Sequence, residues 1–500
     1  MRRLNYLLIL FLTLFTNSVI AQNYGKFPNI KKDSLLLDFE LLKQGLEKYH
    51  TGIYWYTPKD SFDIAFSRAK GQIDQDMNVL EFHKIIAPLV ALTREDHTNI
   101  YLPEKTQNLI LKNSNFLPLT VKFLGEKLYC IRNGSSYNTS EIEYQEIQSI
   151  NGEIPIDIVA KIGSLFANDG FIKPVKLNDL SGFDFSRYYY LYYGNVKNFK
   201  VKFKGIEKPI YLKPLSIKDI NSNLANNNHY EIKYYQTETK KIPFKFLTVS
   251  DSIAYLGIHT FNDDKIKENS DYKTLKRFLE QSFKTISEEK IKTLIIDVSE
   301  NGGGNEGNEG LLYSYLGNNY QKYNEVNTKT QKAILDNGVD KPIKLKTFGL
   351  LERIFTTKKM SDGSLKRRNN SLGPGLVAYK NEPRDKFKGN KIYVIIGPIT
   401  YSGGSEFANM VYSQGLATFV GQETGGSYYG NTSGYSHELV LPHSKIEIDI
   451  PALQFKMNVK DKIPFGRGIK PDYEIIPTIE QFKNKEKVGL NYILNKLIAN

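Results

Sequence analysis

The spacing of apolar residues divides the chain into a helical beginning, a strand-rich middle and a long alternating end. Leu35, Leu36, Phe39, Leu42 and Leu46 recur at helical intervals, with Ser34 placed to cap the segment. Two further helices follow from Phe62, Ile64, Ala65 and Ala69, and from Leu80, Phe82, Ile85, Ile86, Val90 and Leu92. The last of them runs into a polar turn, Arg94-Glu95-Asp96-His97-Thr98. From Phe116 the period shortens to two. Leu119-Thr120-Val121-Lys122-Phe123 and Lys127-Leu128-Tyr129-Cys130-Ile131 read as strands, an Ile150-Asn151-Gly152 turn leads into a helix near 156–165, and alternation returns at 199–203. A Tyr-rich stretch at 188–193 interrupts this module, and residues 216–245 have the polar, Asn- and Lys-rich character of a linker.

Beyond residue 246 strands and helices alternate. Apolar runs at 253–258, 293–298 and 391–397 have the character of buried strands, and 272–286 has helical spacing. A hairpin is expected through 438–441 and 446–450, and a terminal helix through 481–497. This order predicts an α/β multidomain chain. Its parts are a helical domain (22–105), a β-rich domain (106–215), a linker (216–245), an α/β core with a central sheet (246–480) and a C-terminal helix (481–500). A basic, loop-rich insertion, 317–388, breaks the core and is a candidate lid.

Residues 1–21 follow a different logic. Arg2 and Arg3 precede a short apolar run, and Ala21 precedes Gln22, which is the layout of a secretory signal segment and predicts export to the periplasm or the extracellular space. Charge then narrows the partners. The net charge of +13 is spread along the chain instead of forming a basic stripe, which argues against nucleic acid and leaves room for peripheral association with an anionic envelope surface. Cys130 is the only cysteine, so no internal disulfide and no cysteine metal cluster is expected, and nothing calls for a cofactor.

The candidate chemistry lies in Thr400-Tyr401-Ser402-Gly403-Gly404-Ser405-Glu406, between a buried strand and a helical pattern. A small-residue turn at that junction exposes a hydroxyl and leaves helix-start N–H groups free. Three other blocks stand in register with it. Leu294-Ile295-Ile296-Asp297-Val298 followed by Asn301-Gly302-Gly303-Gly304 resembles the "LIIDLRxNxGG" block of the C-terminal processing (tail-specific) serine peptidases. Gly421-Gln422-Glu423-Thr424-Gly425-Gly426 and Gly466-Arg467-Gly468-Ile469-Lys470-Pro471-Asp472 are similar to that family's "GExTxG" and "GxGxxPD" blocks. The strand–strand–turn–helix–strand middle resembles a PDZ-like module, which would bind peptide by strand addition.

The resemblance implies a crotonase-like or ClpP-like core acting as a serine endopeptidase on polypeptide substrates. Ser402 would be the nucleophile, and the backbone of Gly303 and Gly403 the oxyanion hole. Where bacterial and plastid members carry a lysine base, this chain has Ser427. Asp96-His97-Thr98 instead resembles the "DGHT" segment of the tricorn-like branch, which makes His97 the expected base and His437 the alternative. Glu423 is the expected orienting group, and Asp297 is expected to accept backbone N–H bonds at its strand end. A catalytically inactive peptide- or lipid-binding protein on the same scaffold is the other reading.

Overall fold

The computed structural model describes residues 27–227, 242–318, 320–328, 357–359, 365–367 and 385–498. The expected signal segment, the centre of the expected linker and most of the insertion with its expected lid lie outside these residues. None of the described helices is long and apolar enough to cross a membrane.

The three N-terminal helices form as the periodicity predicts, at Lys32–Tyr49, Lys59–Lys70 and Val79–Ala91. The first begins three residues earlier than a cap at Ser34 would allow. Its Lys32 N–H donates to the Asp76 carboxylate at 2.9 Å, so an acceptor distant in sequence does the work of a cap. The third starts with a capping box in which Asn78 accepts from the Leu80 and Glu81 N–H groups while Glu81 accepts from the Asn78 N–H.

The middle module is a five-stranded antiparallel meander, Leu119–Leu124, Lys127–Asn133, Glu146–Ile150, Phe199–Phe203 and Ile210–Leu212. The Tyr-rich stretch is not an interruption. It is the helix Asp184–Tyr193, whose Phe185 and Tyr189 stand one turn apart and are buried in the core of this sheet. The expected linker also begins as structure. Ser216 caps a helix, Ile217–Asn226, that buries Ile220 and Leu224 in the N-terminal core. Polar composition hid two apolar residues four apart.

The alternating region builds a six-stranded sheet in the order Tyr473–Glu474, Thr418–Gly421, Lys391–Ile396, Thr293–Asp297, Ile253–Ile258 and Phe244–Ser250. All neighbours are parallel except the last pair. Strand 391–396 has a parallel neighbour on each side, which explains its continuous apolar run. A second sheet is built on the long hairpin Gly430–Val440 and Glu447–Met457. Two distant strands add to Glu447–Met457: Tyr323–Thr328, from the start of the insertion, and Asn99–Tyr101, from just after His97. The helical domain is therefore not a separate body. Its core includes Leu441, Ile446, Ile448 and Ile450 of the hairpin, and the fully buried Asp38 accepts the His443 and Ser444 N–H groups at 3.1 and 2.6 Å. The expected single terminal helix is broken at Lys485, which has φ +56°, into shorter segments.

Candidate active site

Strand 391–396 ends in the turn that carries Ser402. Thr400 is fully buried and fixes this turn twice, accepting from the Gly397 N–H at 3.0 Å and donating to the Val298 carbonyl at 2.8 Å. The Tyr401 N–H donates to the Asn301 carbonyl at 3.0 Å. Ser402 itself has φ +47° and ψ −125°, outside the regions that a residue with a Cβ occupies comfortably, at a cost of about 1–3 kcal/mol. The helix Gly403–Gln414 starts immediately after it. The result is a partly exposed hydroxyl on a sharp strand-to-helix bend. Among the described residues that hydroxyl has no hydrogen-bond partner.

The Asn301–Gly304 turn, at the end of the neighbouring strand, lies directly against this bend. A Cβ added to Gly303 would come within 2.7 Å of the Ser402 Cβ, 2.8 Å of the Gly403 nitrogen and 3.1 Å of the Ser402 Oγ. Only glycine leaves that space open. The two expected oxyanion donors differ in their bonding. The Gly403 N–H, at the helix start, has no acceptor among the described residues. The Gly303 N–H donates to the Asn301 Oδ1 at 2.8 Å, so it serves an oxyanion only when Asn301 gives way.

Gly404 makes the second close approach. Its added Cβ would lie 2.2 Å from the Asn301 carbonyl oxygen, whereas one on Gly302 would meet nothing within 4 Å. Gly404→Ala should therefore lower unfolding stability by about 1–3 kcal/mol, and Gly302→Ala should stay within about 0.5 kcal/mol of the parent. Denaturant titration of the two variants checks the contrast.

His97 lies half-buried on the turn after the third helix, and its Nδ1 is buried without a partner. His50 steadies this turn by bonding Thr98 Oγ1 at 2.8 Å. The loop is docked by Asp169, a residue that no sequence motif marks. Its Oδ1 accepts the Asp96 N–H at 2.9 Å, its own N–H donates to the Tyr401 Oη at 3.2 Å, and its Oδ2 faces the Ser427 N–H at 3.4 Å. The carboxylates collected here are poorly solvated. Burial, then the Asp96 carboxylate, pushes Asp169 up to about 6, while His97 pulls it down. Desolvation and then Asp179 push Asp96 up to about 7. Burial and then Asp169 raise Glu95 well above the usual carboxylate range.

Glu423, the expected orienting group, is engaged elsewhere. Arg467 grips both of its oxygens at 2.8 and 2.6 Å, and the Gly468 N–H donates to it at 3.2 Å. The two late sequence blocks thus clamp one another. They also hold the nucleophile turn, because the Gly425 and Gly426 N–H groups both donate to the Thr400 carbonyl, at 3.0 and 3.2 Å. His437 is buried on the hairpin and packs on the Tyr49 ring, with centroids 5.0 Å apart. Asp297 behaves as expected of a strand-end aspartate, accepting the Ser299 N–H at 3.0 Å, and it also takes the Tyr255 hydroxyl at 2.8 Å.

A second cluster stands behind the nucleophile helix. Lys322, only 2% exposed, is ringed by Glu306, Glu309 and Glu406, with Glu406 at 3.1 Å and the other two closer. Tyr323 donates to Glu306 and Glu406 at 2.8 and 2.9 Å. Burial and then the Glu406 charge push Glu306 up to about 7. Burial alone would pull the Lys322 ammonium down, but the carboxylates of Glu309, Glu406 and Glu306 more than reverse it. Among the described residues these three glutamates are the group with the spacing to hold a metal ion. The ammonium already occupies their centre.

Residues 252–475 match peptidase family S41. The chain carries an S41 peptidase domain. Ser402, the Gly-rich turn and both late blocks lie inside the matched span. The fold agrees. The structure of mature CPAF complexed with lactacystin superposes with a TM-score of 0.58 at 14% identity, covering 93% of this chain and 97% of that one. A second structure of mature CPAF gives 0.56 at 14% identity, covering 93% and 96%. No curated protein matches the sequence. His97 lies outside the matched span, on the part of the chain that the S41 domain gathers in through the Asn99–Tyr101 strand.

A cavity of about 1000 Å³ lies at the C-terminal ends of the core strands, between them and the middle module. Ser299, Glu300, Pro398 and Ile399 line it from the two turns, and Lys122 and Arg132 from the module.

Proposed function

We propose that the protein is an exported serine peptidase that cleaves polypeptides, near their C-termini, with Ser402 as nucleophile and His97 as base. In this reading the Ser402 Oγ attacks the substrate carbonyl carbon while His97 takes the hydroxyl proton and later delivers it to the leaving amine. The Gly403 N–H, at a helix start, receives the developing oxyanion. The observation that carries the reading is the Ser402 bend: a strained, unpartnered hydroxyl with glycine backbone on its open side. Mature CPAF, similar in fold, has been solved complexed with lactacystin, and the same compound is a reasonable probe for this chain.

The base assignment has its own test. His97→Ala should reduce peptide hydrolysis about 10²- to 10⁴-fold with folding intact, and His437→Ala should leave the rate within about threefold. The reverse ranking would transfer the role to His437. Peptide or lipid binding that saturates with no turnover and no reaction at Ser402 would instead identify a binding protein on a peptidase scaffold. Secretion is tested separately, by N-terminal sequencing of the exported protein: cleavage after Ala21 is the expected result.

A further inference from the structure

We propose that Asp169, contributed by the middle module, is the positioning residue that holds His97 in register with Ser402. The inference rests on the peptidase reading above and names the carboxylate that Glu423 does not supply. Asp169 sits where three distant segments meet. Its Oδ1 holds the Asp96 N–H, one residue from the candidate base. Its backbone N–H reaches the phenol of Tyr401, one residue from the nucleophile. The adjacent Gly170 N–H donates to the Arg94 carbonyl at 2.8 Å, and the Phe171 N–H donates to the Gly466 carbonyl at 2.7 Å, so the whole turn is seated on both partners.

The His97 Nδ1 is one of several buried polar atoms around this turn without a partner, with Tyr56 Oη, Glu95 Oε1 and Ser427 Oγ, and Asp169 is the carboxylate that also holds the backbone of the turn. Asp169 Oδ2 has only the long 3.4 Å contact from Ser427, and its own charge is influenced by His97. The His97 Nδ1 is buried with no partner. A buried ring nitrogen without a partner is costly, and catalytic hydrogen bonds commonly tighten only when substrate arrives. An Nδ1–H donated to Asp169 would present Nε2 as the basic nitrogen and fix the ring plane. Glu95 and Asp96 are nearby, but neither links the His97 turn to Tyr401 of the nucleophile turn as Asp169 does, and Glu95 keeps Oε1 buried without a partner. The other Glu95 oxygen, Oε2, accepts the Thr432 N–H at 3.0 Å and so ties Glu95 to the hairpin.

The test compares Asp169→Asn with Asp179→Asn, which removes a neighbouring half-buried carboxylate that bonds Asn168 and has no hydrogen bond to the backbone of the His97 turn. The rate of fluorophosphonate labelling at Ser402 and the kcat and KM for a peptide would be measured on the full-length mature protein. Asp169→Asn should lower the labelling rate and kcat about ten- to a hundredfold with KM within about threefold, and Asp179→Asn should leave both rates within about threefold. Equal losses in the two variants, or labelling of Asp169→Asn at the parental rate, would overturn the proposal while leaving the peptidase intact. Failure of the parent itself to label would count against the peptidase reading instead. If Asp169→Asn does not fold, the imidazole proton spectrum of the parent decides, with His97→Gln identifying the signal. A strongly downfield Nδ1 proton on His97 supports the bond to Asp169, and its absence in the inhibited enzyme overturns it.

Discussion

Ser402→Ala should eliminate fluorophosphonate labelling and lower peptide hydrolysis about a million-fold, to the level left by binding and backbone donors alone. The variant should fold, because the bend is held by Thr400, Tyr401 and the Gly425–Gly426 N–H groups, none of which uses the serine side chain. Its melting temperature should lie close to the parent's, since alanine inherits the positive φ and loses only a partnerless hydroxyl. Peptide mapping of the labelled parent provides the decisive control. Ser405 and Ser427 are the nearest competing hydroxyls in the turn region, but Ser405 already donates to the Ser402 carbonyl at 2.8 Å and Ser427 is buried. A label on either would move the nucleophile and with it the mechanism.

Lys322→Met should be the most damaging change remote from the reacting atoms, costing about 3–5 kcal/mol in a urea or thermal unfolding experiment. It leaves three clustered carboxylates, those of Glu309 and Glu406 buried and that of Glu306 at the surface, with no cation between them. The variant should also show a particular pH dependence. Without the ammonium, protonated carboxyls are favoured in the folded state, so their folded pKa values lie above the unfolded value of about 4.3. The folded chain then binds more protons than the unfolded one over that interval, and stability falls as pH rises through it. Acidification should therefore restore part of the lost stability. In the parent, the raised Lys322 pKa contributes stability that is fully present below the unfolded lysine value and is lost only in more alkaline solution. A variant whose melting temperature stays level or drops on mild acidification would contradict this account of the cluster.

The nucleophile bend, the glycine turn and the His97 turn could be found in the sequence because each is a local event, a run of one periodicity ending in small or polar residues. The Asp169 and Lys322 clusters could not. Asp169 lies in an unremarkable Asn-Asp-Gly turn and acquires meaning only when residues 96, 401 and 427 arrive around it. Lys322 stands at the edge of a basic insertion with nothing local to set it apart, because burial of a charge is decided by partners that composition does not reveal. Glu423 shows the opposite hazard. A glutamate in a motif block suggested chemistry, but Arg467, on another block, claims both of its oxygens. The same physics moved the first helix start away from Ser34, where Asp76 supplied the acceptor, and turned a tyrosine-rich stretch into a core helix through a one-turn spacing that the bulk of the rings obscured.

The pairing of Asn99–Tyr101 with Glu447–Met457 also bears on when the protein can first act. The turn bearing His97 is completed by Thr432, whose N–H binds Glu95, and by a strand made more than three hundred residues later. During synthesis the early helices emerge without the hairpin that finishes their core. Long-range pairing of this kind is slow, since the intervening chain must first be gathered. The turn that bears His97 consequently stays unmoored until the last strands dock.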